Sequence, residues 1–366
     1  MFNPFMSLYE GTKTLESIPN YVHLEKQNKI AYFLTMSKSP KNPYYQGPVS
    51  DHFDGTRFFL ADNASPKSLK DLLKWQFGGK KKKWPKKLNG KHHPKPLVRH
   101  NAGDFSITLI GHATVLIQIG GINILTDPFF SDRASPFQFA GPKRVRRPGI
   151  EIANLPPIDF ILLSHNHYDH LDLPALKELH DKSEPIIITP LGNGAIINKT
   201  GCKHQIVEAD WQDTIPLTQE IKVTLTPALH WSKRTIKDHN MALWCAFVIQ
   251  TPFGPIYFSG DTAYGNGDHF RAIYQQFGPP KLSFLPIGAY EPRWFMKDQH
   301  MNPDEAVKAH LDLQSQQSVA FHHGTIQLTD EAIDQPVIGL SSALQNNAVD
   351  PCRFSVLECG QSKKFC

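Results

Sequence analysis

Three histidines and an aspartate crowd into six residues of the stretch FILLSHNHYDHLD: His165, His167, Asp169 and His170. Four titratable groups so close together fill a core poorly, because an unpaired buried charge is costly. They make sense as ligands of a metal ion. The donors are nitrogen and oxygen, with no thiolate near them, which suits the borderline metals: zinc first, iron or manganese behind it. More candidates emerge from reading the residue that follows each apolar, strand-like run. "FILLS" is followed by His165, "VTLTPAL" by His230, "IYFSG" by Asp261 and "SVAF" by His322. Functional groups of α/β sheets gather just past the carboxyl ends of strands, so this recurrence points to one assembled site. Two ions would use the whole set. Three histidines and a shared carboxylate serve one; an aspartate, two histidines and the same carboxylate serve the other.

The elements that must position these residues can be read from periodicity. From Phe105 onward, "FSITLIGHATVLIQIGGINILTDPFF" is a series of strands, with Gly120-Gly121 closing a tight hairpin. Strands and helices then alternate through "PIIITP", "IKVTLTP", "WCAFVIQT", "PIYFSG" and "LSFLP", with helices at "LPALKELHDK", "HFRAIYQQF" and "MNPDEAVKAHLD". The last helix is the best marked, with Asn302 as N-cap, Pro303 in the first position and Glu305 in the third. The pattern predicts an α/β chain whose mixed sheets are sandwiched between helices. Residues 1–100 differ, being rich in Pro, Lys, Asn and Tyr. They are expected to form an N-terminal extension that packs on a hydrolase domain of residues 101–366, facing substrate or membrane. Its one clear helix, "SPKSLKDLLKWQF", sets Leu69, Leu72, Leu73 and Phe77 on one side, expected to pack on the core ahead of lying on a membrane.

Composition narrows the function classes. The chain has 366 residues, 40% of them hydrophobic, enough for a sizeable core. No apolar run reaches the length of a membrane-spanning helix. The N-terminus lacks the pattern of a secretory signal, and five scattered cysteines without a C-x-x-C pair suggest reduced thiols, so a cytoplasmic setting is expected. The formal charge of +5 is uneven, concentrated in Lys80–Lys87 and in Lys143–Arg147. Such clusters are either solvated faces or contacts for an anionic partner, phospholipid headgroups or nucleic acid.

"SHNHYDHLD", "LIGHATVLIQIGGINILTDP", "HWSKRT", "FSGDTAYG", "PIGAYEPRWFM" and "FHHGT" together resemble the metallo-β-lactamase-fold hydrolases. More narrowly, "PIGAYEPRWFM", "GPKRVRRPG" and "HWSKRT" resemble the N-acylphosphatidylethanolamine-hydrolysing phospholipase D family, in its bacterial type. The resemblance runs from about residue 44 to about residue 330. It implies an αβ/βα sandwich and two Zn²⁺ ions. One ion would take His165, His167 and His230, the other Asp169, His170 and His322, with Asp261 bridging. Of the two neighbours His322 and His323, the family pattern selects His322. Asp127 in "ILTDP" resembles the superfamily's strand-end aspartate that orients a ligand histidine; a simple turn aspartate before Pro128 is the other reading. Phe139 stands where animal members carry tyrosine, so no hydroxyl contact is expected there.

The activity implied is phosphodiester hydrolysis of a phospholipid, releasing N-acylethanolamine and leaving phosphatidic acid. Asp169 and Asp261 are the expected catalytic carboxylates, Asp169 taking the proton of the attacking water. His300 either contacts phosphate or the leaving oxygen, or is a surface histidine before a helix cap. Gln138, Arg144 and Arg146 are candidate headgroup contacts. A phospholipid substrate on a peripherally bound membrane surface is expected, nucleic acid is not, and a homodimer is compatible. The alternatives are another hydrolase of the same fold (a lactonase, a nuclease or a small-molecule phosphodiesterase), a diiron redox protein, or a non-enzymatic metal-binding protein. His167 stands where the diiron proteins carry glutamate, which sets that reading low.

Overall fold

Runs of β-branched and aromatic residues pair into two sheets, and each sheet has one face turned to the other. The computed structural model describes residues 42–60, 67–79, 81–91, 93–100 and 104–365; the first 41 residues of the expected extension, Lys80 and Cys366 lie outside them. The strands of the first sheet are β1 (Phe105–Gly111), β2 (Thr114–Ile119), β3 (Ile122–Thr126), β4 (Phe160–Leu162), β5 (Ile186–Pro190) and β6 (Gln205–Ala209). Those of the second are β7 (Thr214–Pro216), β8 (Lys222–Thr226), β9 (Ala246–Gln250), β10 (Ile256–Phe258), β11 (Leu282–Pro286), β12 (Gln317–Phe321) and β13 (Phe354–Val356). The last strand, β14 (Ser362–Phe365), returns to the first sheet and pairs antiparallel with β1. The orders are β14-β1-β2-β3-β4-β5-β6 and β13-β12-β11-β10-β9-β8-β7, each sheet mixing antiparallel and parallel pairs.

The hairpin between β2 and β3 turns on Gly120 and Gly121 at φ 56° and 77°. Both central residues of such a two-residue turn need positive φ, which glycine adopts without strain. Between the sheets lie Phe105, Ile107, Ile117, Leu162 and Ile188 from one side, and Leu225, Phe247, Ile249, Phe284 and Phe321 from the other. The outer faces are covered by helices. On the first sheet, α2 (Leu173–Ser183; α1 is Leu69–Gly78) buries Leu176 and Leu179 against Leu116, Leu125 and Ile161. A short turn, α3 (Gly194–Ile197), sits in the same cluster. On the second sheet, α4 (Asp268–Phe277), α6 (Pro303–Asp312) and α7 (Gln335–Asn346) bury Phe270, Val307 and Leu340; the short α5 (Arg293–Met296) precedes α6. Phe53 and Phe58, from the segment before α1, join that second cluster. The fold is the αβ/βα sandwich of the metallo-β-lactamases.

The capping box of α6 forms as read: the Asn302 side chain accepts from the Glu305 N–H, and the Glu305 carboxylate accepts from the Asn302 N–H. Helix α1 departs from expectation. Its Leu72, Leu73 and Phe77 are 43%, 49% and 83% exposed, so this apolar side is not core packing. The helix is held instead through Trp75, which stacks on Phe295, and Lys74, which sits over Trp294. The sequence reading also leaves α7, β13 and β14 unassigned. Helix α7 carries no charged residue and β14 begins Ser-Lys-Lys, so neither shows a clear amphipathic period.

Candidate metal centre

The loop after β4 is shaped before any ligand is considered. Asp127, at the end of β3 with φ 31°, accepts the Ser164 backbone N–H at 2.7 Å and the Ser164 hydroxyl at 2.6 Å. Its second oxygen also accepts from His170 Nδ1 at 2.7 Å. From the outside, Arg234 of "HWSKRT" donates to the Asn166 and Leu171 carbonyls and stacks 3.9 Å from the Tyr168 ring. Asp172 caps α2 and collects the N–H groups of Phe130 and Ser131. Thus the six-residue motif is clamped between the loop after β3 and the segment around Arg234.

Other strand ends bring the remaining groups. The His322 N–H donates to the His112 carbonyl at 3.0 Å, joining the end of β12 to the end of β1. Leu229 and Ala263 bond across the loops after β8 and β10, setting His230 beside Asp261. Gly288 has to be glycine there, because a Cβ would lie 2.2 Å from the His322 carbonyl oxygen. His322 and His112 themselves sit at φ 58° and 54°, a left-handed conformation that costs free energy and recurs at functional sites.

Two adjoining groups result. His165, His167, His230 and Asp261 offer ligand atoms all within 4.8 Å of one another, and so do His112, Asp169, His170 and His322. Asp261 Oδ2 stands between them, 3.2 Å from both His170 Nε2 and His322 Nε2 and 3.7 Å from His230 Nε2. The tautomers point inward. His170 Nδ1 donates to Asp127 and His230 Nδ1 to the Gln299 carbonyl, which leaves each Nε2 facing the cluster. Nitrogen atoms are crowded: His167 Nδ1 lies 2.9 Å from His165 Nε2 and 3.2 Å from His230 Nε2.

Electrostatics fit a cation. Burial holds His165 and His230 well below the ordinary histidine range and His167 down to about 3, so all three are neutral lone-pair donors. Burial would raise the carboxyls of Asp169 and Asp261, but the surrounding histidines outweigh it and keep both ionised. Burial likewise opposes charge on His170 and His322. There the aspartates win, lifting His170 well above its usual value and His322 to about 9. Where these aspartates converge, positive charge is wanted. His167 Nε2, His170 Nε2, His322 Nε2 and Asp261 Oδ1 are buried with no hydrogen bond of normal geometry. Four orphaned donor atoms in one polar cluster, all nitrogen or oxygen, suit a divalent metal.

A cavity of about 890 Å³ opens onto this cluster. His167, Asp169, His230, Asp261 and His300 lie on its polar side, and Phe59, Leu72, Trp75, Trp231, Phe295 and Met296 on its apolar side. Arg57 and Lys233 add positive charge, and Lys67 is paired with Asp298 on the same lining. His300 therefore meets the cluster, with Nδ1 4.0 Å from Asp261 Oδ2, and burial lowers it to about 4. His323 lies elsewhere, half-buried and held down to about 4 by desolvation and by Arg146.

The three headgroup candidates do not line the cavity. Gln138 is exposed, and its carbonyl accepts from Arg133. Arg144 is 6% exposed and donates to the carbonyls of Phe129 and Ser131 while stacking on the Phe129 ring, so it ties a loop together. Arg146 donates to the Gly324 carbonyl. Two residues were missed. Tyr168 lines the cavity between two ligand candidates and carries no metal-binding chemistry to flag it. His112 donates from Nε2 to Asp169 Oδ2 at 2.9 Å, and it directly follows β1. The strand-end rule that found His230 and His322 would have found it too.

Comparison with known proteins agrees with this geometry. The profile of a family described as the beta-lactamase superfamily domain matches residues 122–323. An N-acyl-phosphatidylethanolamine-hydrolyzing phospholipase D of Caenorhabditis elegans is 38% identical over 234 residues, 62% of this chain and 65% of the relative. The mitochondrial enzyme of that description from Saccharomyces cerevisiae is 37% identical, over 63% of this chain and 49% of its own length. The chain thus spans less than two thirds of either relative. Among solved structures, an isothiocyanate hydrolase from Delia radicum gut bacteria superposes with a TM-score of 0.56 at 20% identity, over 71% of this chain and 99% of that one. By its matched domain and its two sandwiched sheets, the chain belongs to the beta-lactamase superfamily and has the metallo-β-lactamase fold.

Proposed function

We propose that this chain is a dinuclear zinc phosphodiesterase of the phospholipase D type, hydrolysing N-acylphosphatidylethanolamine-like lipids to phosphatidic acid and N-acylethanolamine. The observation that carries the reading is the cavity: one continuous space joins a His/Asp cluster to a wall of aromatic and aliphatic side chains. A phosphodiester with long acyl chains needs both surfaces at once, whereas a small polar substrate needs only the first.

His165, His167, His230 and Asp261 would hold one ion, and Asp169, His170, His322 and Asp261 the other. Zinc suits this donor set, with iron or manganese as substitutes. Bound there, divalent ions supply Lewis-acid charge to a phosphoryl oxygen and acidify water. The protein's own groups do the rest. Asp169, held ionised, accepts the proton of the attacking water, and the His112 N–H keeps its carboxylate in place. His300, neutral and on the cavity side of Asp261, contacts a phosphate oxygen or the leaving alcohol. Phe59, Leu72, Phe295 and Met296 take the acyl chains and exclude water, while Arg57 and Lys233 draw in the phosphate.

A peripheral membrane position follows from the same cavity. Three segments that line it are those of Leu72 and Trp75, of Ala134, and of Trp231 and Lys233. The same segments carry the exposed Phe77, Phe139 and Ile236, which are 83%, 82% and 93% accessible. Among the described residues no helix is long and apolar enough to cross a membrane. Mass spectrometry of products from zinc-loaded protein and mixed vesicles tests the reading. Phosphatidic acid and N-acylethanolamine should appear together, and Asp261→Asn should lose both metal and turnover. An intact lipid pool from protein shown to hold two metals would sink the substrate. Full turnover by a metal-free Asp261→Asn would sink the dinuclear site.

A further inference from the structure

Beside the large cavity lies a second one of about 410 Å³, and Trp75 lines both. Its walls combine two indoles with charges of both signs: Trp75 and Trp294, Glu291 and Asp330, Lys74 and Lys82. Lys74 Nζ sits 4.6 Å from the centre of the Trp294 ring, so the indole face already takes a cation supplied by the chain itself. The Trp75 indole N–H donates to Asp330 Oδ1 at 3.1 Å, and the Lys82 N–H donates to the Asp330 carbonyl at 3.0 Å. Helix α1, the lysine-rich segment after it and the Asp330 loop are therefore tied together around this space. Nothing in the hydrolytic site uses it.

We propose that this cavity binds a zwitterionic phospho-ammonium group, of the phosphocholine or phosphoethanolamine kind. The ammonium rests on the Trp294 face beside Asp330 and Glu291, and the phosphate meets Lys74 and Lys82. The arrangement works as an exchange. An incoming ammonium takes the seat of Lys74 Nζ on the indole, and the displaced lysine becomes free for the phosphate of the same ligand. A simple anion would use only the lysines, and a simple cation only the ring and the acids. The inference stands independently of what the His/Asp cluster hydrolyses.

Calorimetric titration of the full chain with phosphocholine tests it, with tetramethylammonium and inorganic phosphate as the two half-ligands. The comparison uses the Trp294-dependent part of binding, since the His/Asp cluster also attracts phosphate. Phosphocholine should bind about ten-fold more tightly than either half, and Trp294→Ala should weaken it about ten-fold. Trp294→Phe, which keeps an aromatic face, should restore most of the affinity. Trp294 is 46% exposed, so neither change threatens the fold, and a melting curve checks this. Dihexanoylphosphatidylcholine below its micelle concentration separates the sources: tighter binding than phosphocholine marks a lipid headgroup, equal binding a free metabolite. Unchanged affinity in Trp294→Ala, or inorganic phosphate binding as tightly as phosphocholine, would overturn the proposal.

Discussion

Asp127 shows how much a single residue outside the candidate ligand set can decide. It holds His170 through Nδ1 and the β4 loop through Ser164, so it fixes both a ring orientation and the path of the backbone behind it. Groups that orient ligand histidines in this way typically contribute 10–100-fold to metal affinity. Asp127→Ala should lower zinc affinity by about that factor, read by competition with a chelating dye, with secondary structure retained by circular dichroism. Full occupancy at unchanged affinity would remove Asp127 from the site. Much at this scale was visible in the sequence, because the ligand types are rare in apolar strands and fall at their ends. His112 follows the same rule at β1, directly after Gly111. Arg144 illustrates the opposite failure: its type suggested an anion contact, while its burial against Phe129 makes it a loop tie.

Elements set the distances between these residues, and two predictions belong here. Phe247 on β9 is fully buried between the sheets, so Phe247→Ala should cost about 3–5 kcal/mol in chemical denaturation of the metal-free protein. A loss under about 1 kcal/mol would mean the interior closes over the gap. His310 on α6 is pushed down to about 4 by burial and by Arg353, and its Nδ1 lies 2.8 Å from the Ser318 hydroxyl. The unfolded chain, with an ordinary histidine value near 6.5, binds a proton more readily through the window from about 6.5 to 4. Stability should therefore fall as pH drops through that window, and less steeply in His310→Gln. Parallel wild-type and mutant melting curves between pH 7 and 4.5 would detect the contribution; identical slopes would exclude it. Helix α6 was legible from its cap, and α2 and α4 from their apolar runs. Helix α7 was not, because a run without charges has no polar face to reveal its period.

At the scale of the whole molecule, exposed lysines and an exposed phenylalanine share the segment that carries α1. Lys70, Lys74, Lys81, Lys82 and Lys83 are exposed on or just after α1, the helix that turns Phe77 outward. Binding to anionic vesicles should weaken as salt rises, since exposed charges are screened beyond about 10 Å at 0.1 M. Phe77→Ser should reduce partitioning about ten-fold, the effect expected for losing one inserted aromatic side chain. Co-sedimentation with vesicles measures both. Binding that ignores Phe77 and salt alike, or no binding at all, would remove α1 from any membrane contact.

By itself, the sequence determined the local matters: which runs are strands, which residues close the β2–β3 hairpin, how α6 is capped, and which side chains can ligate a metal. These follow from contacts within a few residues, where side-chain type and spacing act directly on the backbone. Tertiary structure alone decided that β14 returns to β1, that His112 reaches Asp169, that Arg144 is buried, and that α1 shows Leu72 and Leu73 to solvent. Each of these depends on which distant segment arrives to pair with, cover or leave bare a given face. That choice is made by the packing of the whole chain, and no local period records it.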